Sequence, residues 1–291
     1  MNLDMLNKEV EKYYRGIIDE HDPLEYFSKL IAPEIAKCDN VKKAMLLMLV
    51  SKDQKDGIRH RIHIGLVGKP GTGKTLFMEW LERDFNAIYL TQDTTTSSLK
   101  GDARKLDYGI QLLKTADDRI ICFDEIELMK DRETLRDVME KGIVTYAKGG
   151  RLEKYKARAR VIVGSNSFKN LSPALMDRLD FIFEFDEPDK DEAKEIARKI
   201  VSMYSSEDYE DQKMILRGYI EWVRNFKPKI TQEEKERIND VFEEYFDYIG
   251  KGKTGRWIAK VMRIATAYAK LYKRDVKAED VKVAIKMLNS D

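Results

Sequence analysis

Gly68-Lys69-Pro70-Gly71-Thr72-Gly73-Lys74-Thr75 is the stretch on which the reading of this chain turns. Its spacing is G-x-x-x-x-G-K-[ST], and each residue type has a physical task there. The glycines let successive backbone N–H groups face one anion, because no Cβ stands in the way. Lys74 sets a positive charge where β- and γ-phosphates would lie, and Thr75 offers a hydroxyl to Mg2+. A helix starting near Gly73 adds the positive end of its dipole. The flanks have the required order: Arg61 to Val67 reads as a buried strand feeding the loop, and Leu76 to Leu81 as the helix leaving it. The octapeptide therefore predicts a nucleotide site. The competing reading is a glycine-rich turn that contains a lysine.

Composition limits what else the chain can be. Its 291 residues include 53 basic and 52 acidic ones, for a net charge of +1. Charged residues make up 36%, well above the usual ~25%. The near-cancellation leaves no global field to attract nucleic acid, so any such contact needs a local patch. Apolar residues, at 43%, suffice for a real core. Cys38 and Cys122 lack metal spacing and read as buried free thiols of a reducing compartment. No apolar run approaches the ~18 residues of a membrane span, and Met1-Asn2-Leu3-Asp4 does not open a signal peptide. The expectation is a soluble cytoplasmic protein, nucleoid-associated if it binds DNA, with no membrane partner.

Outward from the loop, apolar runs at Ala87–Leu90, Arg119–Asp124, Arg160–Asn166 and Phe181–Phe185 read as further strands. Near-continuous apolar strands separated by helical stretches predict an α/β fold with a parallel sheet flanked by helices. After Glu187-Pro188 the pattern is helical to the end. Thr231-Gln232-Glu233-Glu234 has the form of a capping box, and a last amphipathic helix should end near Leu288. The predicted division is a helical lead-in at 1–29, the α/β nucleotide-binding domain at 30–187, and a small all-α domain at 188–291. A helix with an apolar face is expected over 34–51.

Four further groups carry chemistry. Asp124 and Glu125 end an apolar strand, where a carboxylate lies beside the phosphate loop. Asp124 would hold Mg2+ and Glu125 would polarise a water, unless the pair is only a solvated turn. Asn166 ends the next strand, placed to orient that water or touch the γ-phosphate, or else to serve as a turn residue. Arg178 follows a short helix with Ser172 as N-cap and Pro173 at its first position. It reads either as an arginine finger toward a neighbouring subunit's nucleotide or as an ion-pair partner for Asp177 or Asp180. Between Lys148 and Arg160, six of thirteen residues are basic and only Glu153 is acidic. With Gly149-Gly150 as its turn, this segment reads as a hairpin whose Lys148, Arg151 and Lys154 would meet DNA phosphates, or as a solvated charged surface.

Taken together and in this order, these residues resemble the AAA+ ATPase module of the minichromosome maintenance (MCM) helicase family, from about Leu30 to Leu288. Cys122-Phe123-Asp124-Glu125-Ile126-Glu127-Leu128-Met129 is similar to its Walker B stretch, Ala147-Lys148-Gly149-Gly150 to the tip of its pre-sensor 1 hairpin, and Asp177-Arg178-Leu179-Asp180 to its arginine-finger segment. Thr254-Gly255-Arg256-Trp257 fits the family's sensor 2 position, which makes Arg256 the candidate there, and residues 91–111 would be a shortened helix-2 insert. The resemblance implies a P-loop NTPase with an all-α lid, ATP and Mg2+ as cofactors, a homo-oligomeric ring of hexameric type, and DNA as partner.

The chain also departs from the family pattern. Gly73 and Thr75 stand where the family favours a small non-glycine residue and Ser. Lys156-Ala157-Arg158 replaces Asn-Ala-Arg, Ser167 follows Asn166 where Pro is usual, and Arg178 comes only 12 positions after Asn166. The family's N-terminal DNA-binding region and C-terminal winged helix are expected to be missing, so that replication proteins would supply such modules. An ATP-dependent DNA motor is the first functional expectation. A protein-remodelling ATPase of MoxR-like type, with no role on DNA, is the second.

Overall fold

Five of the predicted apolar runs become strands of one parallel sheet: β1 (Ile64–Gly68), β2 (Ile88–Leu90), β3 (Ile120–Phe123), β6 (Arg160–Ser165) and β7 (Phe181–Phe185). The computed structural model describes residues 3–54, 56–91, 94, 112–128, 133–148, 151–203 and 209–289. Strand order is β2-β3-β6-β1-β7, so the phosphate loop leaves a central strand. β1, β3 and β6 are buried along their whole length, as strands covered on both faces must be. Edge strand β7 instead alternates and exposes Glu184. β1 begins at Ile64 and not at Arg61, because the Asp180 carboxylate takes the His63 N–H that would otherwise enter a ladder.

Phe123, Val161, Val163, Leu179 and Val138 belong to the core on one side of this sheet. Each fully buried side chain of this kind contributes ~1.5–3 kcal/mol. Helix α4 (Lys74–Phe85) follows the loop and turns Phe77, Met78 and Leu81 inward, the three-to-four spacing of an amphipathic helix. It ends at Asn86, which adopts the left-handed conformation and donates its N–H to Leu81. Helix α5 (Glu133–Glu140) leads into a separate antiparallel hairpin, β4 (Ile143–Lys148) and β5 (Arg151–Lys156). Its register runs from Ile143 opposite Lys156 to Lys148 opposite Arg151. The Gly149-Gly150 turn and nearly all of the 91–111 insert lie outside the described residues. Short helix α6 (Pro173–Met176) has the predicted cap, with Ser172 Oγ accepting the Leu175 N–H at 3.2 Å.

The chain packs as two compact units, one of 55–197 and one joining 1–54 to 198–291. Residues 30–54 thus cluster with the C-terminal helices, whereas the sequence division placed them with the sheet. The helical unit contains α1 (Leu3–Glu20), α2 (Pro23–Ser28), α3 (Asp39–Val50), α8 (Tyr209–Arg224), α9 (Gln232–Ile249), α10 (Gly255–Leu271) and α11 (Ala278–Leu288), and α7 (Lys190–Met203) crosses its boundary. Its N-terminal helices are integral: Tyr14 donates to the Ile215 carbonyl at 3.1 Å, Trp222 Nε1 donates to Glu11 at 2.7 Å, and Phe27 stacks on Tyr219.

Helix α3 starts at Asp39, later than predicted, because Lys37 and Cys38 both have positive φ. Cys38 is half-buried, while Cys122 is buried as expected. Only half of the predicted capping box forms. Thr231 Oγ1 accepts the Glu234 N–H at 3.2 Å, but the Glu234 carboxylate accepts from Arg237 and from the first N–H of α11 at Ala278. Among the described residues no helix is long and apolar enough to cross a membrane.

Candidate functional site

The C-terminal ends of β1, β3 and β6 frame a cleft of about 370 Å³, lined by Pro70, Gly71, Gly73, Lys74, Thr75, Leu76, Asp124, Glu125 and Asn166. Its geometry starts at the loop. Gly68 lies so close to β7 that a Cβ there would sit 2.3 Å from the Phe185 carbonyl oxygen. Gly73 precedes α4 at φ +97°, a conformation that favours glycine, and so opens the helix N-terminus toward the cleft. Thr72 Oγ1 closes the loop on the Lys69 carbonyl at 2.9 Å, and the exposed Lys69 pairs with Glu187 at 3.1 Å. Lys74 is 5% exposed and donates to the carbonyls of Gly68 and Lys69. Burial lowers its pKa, opposed by the charges of Asp124, Glu127 and Glu125.

Opposite the loop, Asp124 Oδ2 accepts the Thr75 hydroxyl at 3.0 Å and the Tyr89 hydroxyl at 2.7 Å. Oδ1 accepts the Glu125 N–H at 3.0 Å. Glu125 has φ +48°, uncommon for a non-glycine residue and typical of strain kept at a site. Asn166 donates its backbone N–H to Glu127 Oε1 at 2.9 Å. A hydroxyl and a carboxylate at hydrogen-bond distance form a hard oxygen pair suited to Mg2+. The ammonium and the helix N-terminus beside them suit an anion.

Two participants escaped the sequence reading. Tyr89 lies near the end of β2, with Cys122 as its β3 partner, and reaches the carboxylate of the next strand. Burial raises its pKa first, and the hydrogen bond to Asp124 raises it further, so it stays a neutral donor. Glu127 sits in the 3-10 turn Ile126–Leu128, which swings it toward Asn166. The only sequence signal for Tyr89 was a phenol set within the apolar run Ala87–Leu90. For Glu127 it was the third acid after Asp124-Glu125.

Within the sheet-bearing unit the structure gathers Lys74, Thr75, Asp124, Glu125 and Asn166 but not Arg178. Arg178 is absent from the cleft lining. Its Nη1 donates to the Ala174 carbonyl at 2.6 Å, and its Nε lies 3.2 Å from Glu140. Its partners are thus Ala174 and Glu140 in place of either predicted acid, and Asp180 is held by Arg59 and the His63 N–H. Arg256 belongs to the helical unit, exposed on the first turn of α10, where Thr254 Oγ1 caps the Trp257 N–H at 3.3 Å.

In the hairpin, Lys148 and Arg151 face each other across the register, and Lys154 is exposed. The side chains of Lys148 and Arg151 lie outside the described residues. The hairpin base is firmly tied: Ala157 donates to the Gly142 carbonyl at 2.8 Å, and Arg158 grips Asp117 through its N–H, Nε and Nη2 at 2.9, 2.9 and 2.7 Å. The Arg158 contact holds the Asp117 carboxyl below its ordinary pKa.

Residues 11–204 match the MCM P-loop domain model, and residues 214–291 match the MCM AAA-lid domain model. The minichromosome maintenance protein of Saccharolobus solfataricus is 30% identical, covering 98% of this chain and 47% of its own. A DNA replication licensing factor MCM7 of Arabidopsis thaliana is 27% identical over 97% of this chain and 45% of its own. A zygotic DNA replication licensing factor mcm6-B of Xenopus laevis is 28% identical over 88% and 36%. The chain thus spans about half or less of the length of these curated relatives. With the sheet order, the loop and the two family domains in agreement, the chain belongs to the MCM family, as a P-loop domain followed by an AAA lid.

Proposed function

We propose that this chain is the ATP-hydrolysing module of an MCM-type DNA motor, working as a homo-oligomeric, hexameric ring with ATP sites at its subunit interfaces. The observation that carries the reading is the convergence of Lys74, Thr75, Asp124, Glu125 and Asn166 on one cleft. Lys74 exchanges its loop carbonyls for the β- and γ-phosphate oxygens. Thr75 and Asp124 would hold Mg2+, which would neutralise phosphate charge. Glu125 accepts a hydrogen bond from the attacking water and polarises it, and the Asn166 amide orients that water. Arg178 serves the nucleotide of the neighbouring subunit, where negative charge develops on the transferring phosphoryl group. Arg256 takes the sensor 2 role from the lid.

The basic hairpin supports DNA as the partner, with Lys148, Arg151 and Lys154 on the phosphate backbone. The names of the relatives favour this over the protein-remodelling alternative. Replication proteins would add further DNA-binding modules. The test is ATP turnover with and without single-stranded DNA. DNA should raise the rate, with a stimulation that weakens as salt increases. A rate indifferent to DNA, together with no measurable DNA binding, overturns the motor reading.

A further inference from the structure

Arg178 and the hairpin meet at one residue that neither the loop nor the DNA reading uses. Glu140 is the last residue of α5, and β4 of the hairpin begins at Ile143. The two residues between them form a tight turn. Lys141 and Gly142 both donate their N–H groups to the Asp137 carbonyl, at 3.0 and 2.9 Å. Gly142 has φ +61°, and a Cβ there would lie 2.2 Å from Arg61 Nη1. Three cationic or donor groups from the segment before β1 close on the carbonyls at this helix end: Arg59 and His63 on Met139, and Arg61 on Met139 and Glu140. Cationic groups at a helix C-terminus are favoured by its dipole. The end of α5 is therefore a stiff mount, and the Glu140 side chain projects from it.

That side chain meets Arg178. Its Oε2 lies 3.2 Å from Arg178 Nε, with side-chain exposures of 48% for Glu140 and 16% for Arg178. The opposite edge of the guanidinium donates to Ala174 of its own short helix. An arginine that must reach a neighbour's phosphate is thus folded back on its own subunit. The folded-back state is held by one half-exposed ion pair and one neutral carbonyl. The backbone behind Arg178 is fixed by the same Arg59 that binds Met139: it donates to the Arg178 carbonyl and grips Asp180. Only the side chain is left to move.

We infer that Glu140 is a positioning residue for Arg178, holding it docked in cis and tying its release to the hairpin. Because the turn is stiff, a load on the hairpin is carried through Gly142 to the end of α5, moves the Glu140 carboxylate off Arg178 and loosens the ion pair. Arg178 then becomes available to the adjacent nucleotide. This rests on the finger reading of Arg178 given above. It assigns to the junction Met139-Glu140-Lys141 the task of coupling DNA engagement to hydrolysis.

The experiment compares wild type, Glu140→Gln, Glu140→Asp, Arg178→Ala and Glu140→Gln/Arg178→Ala. ATP turnover is measured with and without single-stranded DNA, beside DNA affinity. Glu140→Gln keeps the shape and removes the charge, and Glu140→Asp shortens the arm. Both should raise the DNA-free rate about fivefold, equivalent to ~1 kcal/mol, the size of a partly exposed ion pair. The DNA-saturated rate should stay within about twofold of wild type, so the stimulation ratio falls while DNA affinity does not change. The double variant should be as inactive as Arg178→Ala. A DNA-free rate that is unchanged or lower in both Glu140 variants overturns the inference, as does a double variant that exceeds Arg178→Ala. Full turnover by Arg178→Ala would instead remove the finger reading itself, so the two failures are distinguishable.

Discussion

Replacing Asp180 with Asn should destabilise the sheet-bearing unit by about 3 kcal/mol. The Asp180 side chain is fully buried, and its partner Arg59 is only 11% exposed. Arg59 Nη2 lies 3.0 and 3.1 Å from the two carboxylate oxygens, and the His63 N–H donates to Oδ2 at 2.9 Å. Asparagine keeps one acceptor oxygen but turns the other position into a donor that faces donors. It also removes the carboxylate charge that pairs with the Arg59 guanidinium. Removing one member of a buried pair costs ~3–5 kcal/mol. The lower end applies because Arg59 keeps its contacts to the carbonyls of Met139 and Arg178. Trp80 on α4 is buried in this unit, so its fluorescence in a Trp222→Phe/Trp257→Phe background isolates the transition. With a urea slope of ~1–3 kcal/mol per molar, the midpoint should fall by about 1–3 M. Arg59→Met/Asp180→Leu, which removes both charges, should recover most of the loss. A midpoint unchanged by Asp180→Asn, or a double variant worse than the single one, would refute this account of how the Arg178 segment is held.

Glu125→Gln should bind ATP as wild type does and turn it over ~10²–10⁴-fold more slowly, the usual worth of a positioned general base. Wild-type turnover in that variant would remove Glu125 from the chemistry. Lys42 on α3 donates to the Ala32 carbonyl at 3.0 Å, and burial pushes its pKa from 10.5 down to about 8. Between pH 8 and 10.5 the unfolded chain therefore binds more protons at this residue, and wild-type stability rises relative to Lys42→Met by ~1.4 kcal/mol per pH unit. Below pH 8 the difference should be constant. A difference that stays flat up to pH 10 contradicts the buried-charge reading.

What the sequence displayed well was local. The octapeptide encodes much of its own backbone path, since Gly73 is needed by a positive φ within the loop, although Gly68 is needed by the approach of Phe185 on β7. Parallel strands buried on both faces announce themselves as apolar runs, and Asp124 and Asn166 end two of them. Contacts between distant segments were not legible. Tyr89 reaches Asp124 only because β2 pairs with β3, and Glu140 meets Arg178 only because the turn after α5 packs against the segment before β1. Glu234 has a capping-box spacing, yet its carboxylate goes to Arg237 and Ala278, a choice set by helix packing. Residues 30–54 precede the loop in sequence but pack with the C-terminal helices, because almost every apolar residue of α3 is buried there.

The central claim is that each ATP site is completed by the next subunit, and one mixing measurement tests it. Arg178→Ala and Lys74→Ala should each be nearly inactive, since a finger arginine can be worth ~10³–10⁵ in rate. After subunit exchange between them has been shown by a labelled-subunit assay, ATP turnover is measured across mixing ratios. A shared site predicts that activity returns in the mixture, because some interfaces join an intact Lys74 from one chain with an intact Arg178 from the next. If exchange occurs and no ratio restores turnover, Arg178 acts within its own chain and the shared-site account is wrong.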